Sequence, residues 1–133
     1  MMDIGKTAFE KHLFGYNCAQ CVLSSLREYT GLDDETALAI AAGFGGGLRS
    51  GEVCGAISGG VMALGTAFPF TDPKDSVAKQ NIALMSKELV AKAAAKFGAV
   101  RCAELKSDGV SCSELISELA KMTEEMIKNG KVI

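Results

Sequence analysis

Residues 51–67 read GEVCGAISGGVMALGTA, and how this stretch is taken decides the fold. At a helical period, Gly51, Gly55, Gly59, Ala63 and Ala67 recur every four residues and form one smooth row along a helix surface. Small side chains let another backbone come close, although each interior glycine costs about 1 kcal/mol relative to alanine. Tight packing is therefore the expected role of Gly59 and Gly60. The wider uncharged run Val53 to Thr71 approaches the ~20 apolar residues of a membrane span. It is broken by Gly55, Ser58, Gly59, Gly60, Gly65, Thr66 and Pro69, and it lacks aromatic ends and flanking basic bias. A buried helix of a soluble protein is the expected outcome.

Outward from this segment the chain reads as helix throughout. LDDETALAIAAGF carries acidic residues in a first turn, apolar positions at Ala37, Leu38, Ala41 and Ala42, and a stop at Gly43. In the segment from Thr71 to Gly98, Asp72 is expected as N-cap and Pro73 as first helical residue. Its apolar stripe is Ile82, Met85, Leu89, Ala93 and Phe97. The last helix opens on Ser111 and Glu114, a capping box, and repeats Leu115, Leu119, Met122 and Met126 before Gly130. Residues 3–13 and 17–29 read as two helices broken by FGYN. Sustained period-two alternation is absent, so the expected fold is all-α: a compact bundle of about five or six helices in a single domain, residues 1–133.

Charge and length narrow the function classes. The 133 residues carry 14 basic and 16 acidic side chains with interspersed signs and a net charge of −2, which offers nothing to nucleic acid. The opening MMDIGKTAFEKHL places charges where a secretory signal needs an apolar run, so a cytoplasmic location is expected, with no membrane partner. A phosphate loop is not expected. Gly46 to Gly51 has the glycine spacing, but Glu52 and Val53 stand where lysine and a hydroxyl belong. GFGGGLRSG also fails the dinucleotide pattern, and no strand precedes it.

Five cysteines remain: Cys18, Cys21, Cys54, Cys102 and Cys112. Cys18 follows Asn17, a good N-cap. Cys112 follows Ser111, and Cys54 stands at the expected start of the glycine-rich helix. At a helix N-terminus the macrodipole and free N–H groups favour the thiolate, the species that binds metal and attacks disulfides. Cys54 is therefore expected to be acidified, whereas Cys21, one turn into a helix on its apolar side, is expected to be an ordinary or raised thiol. Cys102 falls just after the long helix, within reach of Cys112. CAQC at 18–21 is formally C-x-x-C but has no preceding strand, and no standard zinc spacing applies. His12 is expected at the surface of a charged helix. Arg49 and Glu52 flank Cys54 as possible tuners of its thiol, and Tyr16 is a possible donor to a nearby sulfur.

GYNCAQ at 15–20, GFGGGLRSGEVCGAISGG at 43–60, CAEL at 102–105 and Cys112, in that order, make the chain resemble the C_GCAxxG_C_C family of redox-active proteins. The resemblance implies Cys18, Cys54, Cys102 and Cys112 as the functional set, either as redox thiols or as metal ligands. It completes the motif with Gly55, Ala56 and Gly59 as cofactor-side residues and leaves Cys21 outside. A related domain resembles part of the split-Soret cytochromes, where four cysteines accompany an iron–sulfur centre. The implied cargo is an iron–sulfur cluster, with zinc or no metal as alternatives. Haem is not expected, because Val22 follows Cys21 where a haem attachment site needs histidine. The function classes are then electron transfer or redox sensing with a redox partner protein, a thiol–disulfide oxidoreductase using cysteine pairs, or a zinc-stabilised interaction module. A homo-oligomer is compatible with each.

Overall fold

The computed structural model describes residues 3–132. Among them the chain forms eight α-helices: α1 (Ile4–Phe14), α2 (Cys18–Ser25), α3 (Arg27–Thr30), α4 (Asp34–Ala41), α5 (Gly55–Ala67), α6 (Ser76–Phe97), α7 (Cys102–Ser107) and α8 (Cys112–Asn129). A further helical turn spans Gly47–Gly51. The all-α expectation holds, and the count of five or six helices does not. Three short segments make the difference. The helix expected over 17–29 divides at Leu26 into α2 and α3, the glycine loop coils into a turn of its own, and α7 occupies what reads as a connection. None of the three is long enough to show a hydrophobic period.

Local chemistry sets the helix starts. Asp3, Asn17, Asp33, Asp75 and Ser111 each accept a backbone N–H three residues on, as N-caps should. At α2 the cap is reciprocal: Asn17 accepts from the Gln20 N–H while the Gln20 side chain accepts from the Asn17 N–H. One start is corrected. Asp72 and Pro73 do not begin α6, because Asp72 instead closes a turn, accepting from the N–H groups of Lys74 and Asp75. Asp75 becomes the cap, accepting from the Ala78 N–H at 3.0 Å.

α2 is the hub of the packing, lying against α1, α4, α5 and α8, while α5 also packs on α6 and α8. The fully buried side chains include Val22, Leu23, Leu26, Ile57, Leu64, Met85, Leu89, Ile116 and Leu119. The small row of α5 decides how close α2 comes. A Cβ built on Gly59 would stand 2.8 Å from the Ala19 carbonyl oxygen, and one on Gly55 would meet the Cys18 sulfur at 2.5 Å. Gly51 drops out of the row, since its φ of 73° places it outside the helix. Gly60 faces the opposite way, toward Thr123 and Leu89. The uncharged segment, expected as a buried helix, is helical for 13 residues. No helix among the described residues is long and apolar enough to cross a membrane.

Two glycines of α5 make the packing account testable. Gly65 has no neighbour within 4 Å of its would-be Cβ, in contrast to Gly59. Gly65→Ala is expected to stabilise the protein by about 0.5–1 kcal/mol through helix propensity. Gly59→Ala is expected to destabilise it by about 1–3 kcal/mol through overpacking against a backbone that cannot yield. Thermal or urea unfolding of the two variants reads the signs, and a Gly59→Ala protein as stable as the parent would refute the close approach.

Candidate functional site

The site is assembled from helix starts. Cys18, Cys102 and Cys112 are the first residues of α2, α7 and α8, and Cys54 is the residue that caps α5. The start of α7 is the one the sequence did not announce, because Arg101 before Cys102 is no capping residue and makes no side-chain cap bond. Cys54 and Cys102 are joined by backbone. Val53 and Arg101 form an isolated antiparallel bridge, in which the Cys54 N–H donates to the Val100 carbonyl at 2.8 Å and the Cys102 N–H to the Glu52 carbonyl at 2.7 Å. Outside, Arg101 pairs with Glu52 at 3.4 Å across the same two segments.

Cys18 is brought to Cys54 by the close packing of α2 on α5. All four thiols then line one cavity of about 170 Å³. Asn17, Gly46, Leu105, Val110 and Leu115 complete its wall together with His12 and Lys106, so the lining contains two basic side chains and no carboxylate. Cys54 and Cys102 are buried, Cys18 is half-buried and Cys112 is exposed at the rim. All five cysteines are free thiols. The four side chains share the cavity without meeting at one point: among the described residues, no three His, Cys, Asp or Glu side chains are grouped closely enough to hold a metal ion.

Two of the thiols act on each other. The neighbouring Cys54 thiol is the main reason that the Cys18 thiol is pulled down to about 6. Burial opposes the shift, and the backbone N–H groups of Gly46, Ala19 and Gly55 reinforce it. Cys54 moves the other way. It holds its proton because of the neighbouring Cys18 and because it is itself buried, despite the N–H groups of Ala56 and Ile57 beside it. The expectation of an acidified Cys54 is thus corrected. Its helix start does act on the thiol, but the neighbouring Cys18 and burial outweigh it. Cys21 behaves as expected. It is fully buried, its Sγ lies 3.5 Å from the Tyr16 carbonyl, and burial with the nearby Cys18 charge pushes it up to about 12.

The Gly46 N–H reaches Cys18 because of an unusual backbone. Gly46, Gly47, Leu48 and Arg49 all have φ near +60°, a left-handed turn in which two residues carry side chains. Each such residue costs about 1–2 kcal/mol. The turn is closed by a hydrogen bond from the Glu52 N–H to the Gly47 carbonyl at 3.0 Å, and a Cβ at Gly47 would run into the Glu52 backbone. Gly55, Ala56 and Gly59 stand behind the cysteines. Gly55 and Ala56 offer N–H groups to Cys18 and Cys54, and Gly59 packs on Ala19.

Other expectations resolve differently. Arg49 reaches back to the Ala42 carbonyl at 3.5 Å, and Glu52 is taken by Arg101. It is the backbone carbonyl of Tyr16, not its hydroxyl, that faces a sulfur. His12, expected at the surface, is half-buried and lines the cavity. Lys106 was not legible in the sequence either. It becomes a wall residue only because α7 forms, and nothing in CAELKS marks that turn.

Residues 16–126 match the family described as "Putative redox-active protein (C_GCAxxG_C_C)", and the chain belongs to that family. No curated protein and no solved structure matches it.

The lowered Cys18 thiol sets a pH profile. In the reduced, metal-free protein, iodoacetamide is expected to alkylate Cys18 with a midpoint near pH 6, the rate falling below it as the thiolate is protonated. Cys54→Ala removes the neighbouring thiol and should move that midpoint up toward the ordinary cysteine range. Peptide mass spectrometry after timed pulses tracks each thiol, and a parent midpoint already near 8.5 would dismiss the pairing.

Proposed function

We propose that this member of the family is a one-domain redox protein whose four-cysteine cavity takes an iron–sulfur cluster and exchanges electrons with a partner protein. The observation that supports it is the cavity itself: four thiols from four separate elements line one space with no carboxylate among them. A thiol pair would leave two of the four unexplained. Four cysteines are the standard ligand set of 2Fe–2S and 4Fe–4S clusters.

The donor set suits that group, since four cysteine sulfurs line the space and no carboxylate does. A cluster spreads its cysteines over several irons. The cavity of about 170 Å³ is also far roomier than the ~30 Å³ share of one water molecule. Cys18, Cys54, Cys102 and Cys112 would hold the cluster, which when bound supplies one-electron transfer at a potential set by its surroundings.

The chain's own residues prepare for such an anion. The starts of α2, α5 and α8 direct backbone N–H groups and the positive ends of their dipoles at the sulfurs. Lys106 and His12 add basic side chains to the wall. The apolar Leu105, Val110 and Leu115 limit water on one side, and Cys112 at the rim gives the site its contact with solvent and with a partner.

Cys18 and Cys54, which line the same cavity and of which Cys18 is lowered by its neighbour, favour a second reading, thiol–disulfide exchange. There the Cys18 thiolate attacks a substrate disulfide and releases one substrate thiolate. Cys54 then gives up its proton and attacks the Cys18 sulfur, so that two electrons pass to the substrate, which leaves as two thiols, and a Cys18–Cys54 disulfide remains.

Anaerobic reconstitution with iron and sulfide separates the two. Bound iron and sulfide with visible charge-transfer absorption are expected in the parent and in Cys21→Ser. Cys54→Ser and Cys112→Ser are expected to lose them. A parent that binds no iron but forms a reversible Cys18–Cys54 disulfide in a thiol buffer would replace the cluster reading with the second one. Stoichiometric zinc held instead of iron would replace both.

A further inference from the structure

His12 lies at the C-terminal end of α1, six residues before the first cysteine of the cavity it helps to line. Its Nδ1 is the one buried side-chain nitrogen or oxygen among the described residues that has no hydrogen-bond partner. A buried polar atom without a partner is costly, and in a native protein it points to a partner not yet in place. The surrounding groups narrow what that partner is. Asn17, the amide side chain of the wall, is already engaged: it donates to the Ala42 carbonyl and its oxygen accepts from the Gln20 N–H. Lys106 is a donor only. No carboxylate lines the cavity. Lys11, the neighbouring residue, is held elsewhere by Asp34 and by the face of Tyr16. The remaining polar side chains of the lining are the thiols.

We propose that His12 is a further binding residue of the cavity, with Nδ1–H donating a hydrogen bond to the sulfur anion held there, a cluster sulfur or a cysteine thiolate. The backbone that carries the ring is fixed in place. The His12 carbonyl accepts from the Gly15 N–H in the left-handed stop that ends α1, and α1 itself is packed on α2 and α8. An imidazole N–H withdraws electron density from the sulfur it meets, and hydrogen bonds to the sulfurs are among the controls of cluster potential. His12 therefore sets how readily the site accepts an electron, without itself ligating iron.

In its cluster form the inference rests on the function proposed above, and the test separates the two. The parent, His12→Phe and His12→Asn are reconstituted anaerobically with iron and sulfide, and iron per chain and midpoint potential are measured. In the iron-loaded fraction a lower potential is expected in His12→Phe and an intermediate one in His12→Asn, whose amide restores a donor near the Nδ1 position. An unchanged potential in His12→Phe overturns the proposal. The chain holds one histidine, so nitrogen-15 histidine labelling of the parent gives a second, mutation-free measurement. In the reduced, metal-free protein the proton is expected on Nδ1, and that resonance should shift when the cavity thiols are alkylated. A ring protonated on Nε2 alone and indifferent to alkylation overturns the proposal, whether or not the parent binds iron. Absence of iron in the parent would remove the cluster reading while leaving this measurement to decide the role of His12.

Discussion

The contact on which the rest depends is the approach of α5 to α2, backbone against backbone at Gly55 and Gly59. The Ala19 carbonyl and the Cys18 sulfur occupy the space that two side chains would otherwise fill. Interior glycines are a poor choice for a helix, and the pair costs propensity that alanine would not. The compensation is geometric. With α5 drawn in, its capping residue Cys54 comes beside Cys18, and the N–H of Gly55 falls beside the same sulfur. The short pairing of Glu52–Cys54 with Val100–Cys102 then carries Cys102 to the other side of the cavity, and the start of α8 adds Cys112.

Much of this was readable in the sequence because it rests on local rules. Asn17 and Ser111 announce their helices by their own side chains, and a cysteine immediately after either must lie at a helix start. The four-residue repeat of small residues in 51–67 announces a close-packed face. What was not readable depends on partners distant in the chain. Two residues that bridge, Val53 and Arg101, show no alternation because a single pairing needs none. CAELKS has neither cap nor period, so α7 exists by virtue of the backbone that precedes it. His12 looks like a surface residue from its charged neighbours, and only the docking of α1 on α2 and α8 turns it inward. The left-handed turn is legible in Gly46 and Gly47 but not in Leu48 and Arg49, whose side chains argue against it.

The reversal at Cys54 shows how a sound local argument can be overruled. A helix start lowers the pKa of a thiol when the thiol stands alone. Two neighbouring thiols at two helix starts titrate as a pair, so that charge on one raises the other. Around Cys18 the N–H groups of Gly46, Ala19 and Gly55 also favour the charge, one of them supplied by the strained turn. Strain of this kind persists where the surrounding structure over-determines it, and here the closure by Glu52 and the crowding at Gly47 do so.

The bridge between Val53 and Arg101 joins segments separated by all of α5 and α6, and it therefore has consequences for the order in which the molecule folds. Contacts between sequence neighbours, such as α1 with α2 or α5 with α6, close small loops and form early, whereas this pairing must wait for a large loop to close. Until then Cys18 has Cys21 as its nearest thiol, and Cys102 has Cys112. A chain exposed to oxidant while still unfolded would therefore join near neighbours and strand Cys54 without its partner. A reductant present during refolding would in this sense supply folding information, keeping the thiols unpaired until the backbone has brought Cys18 and Cys54 together.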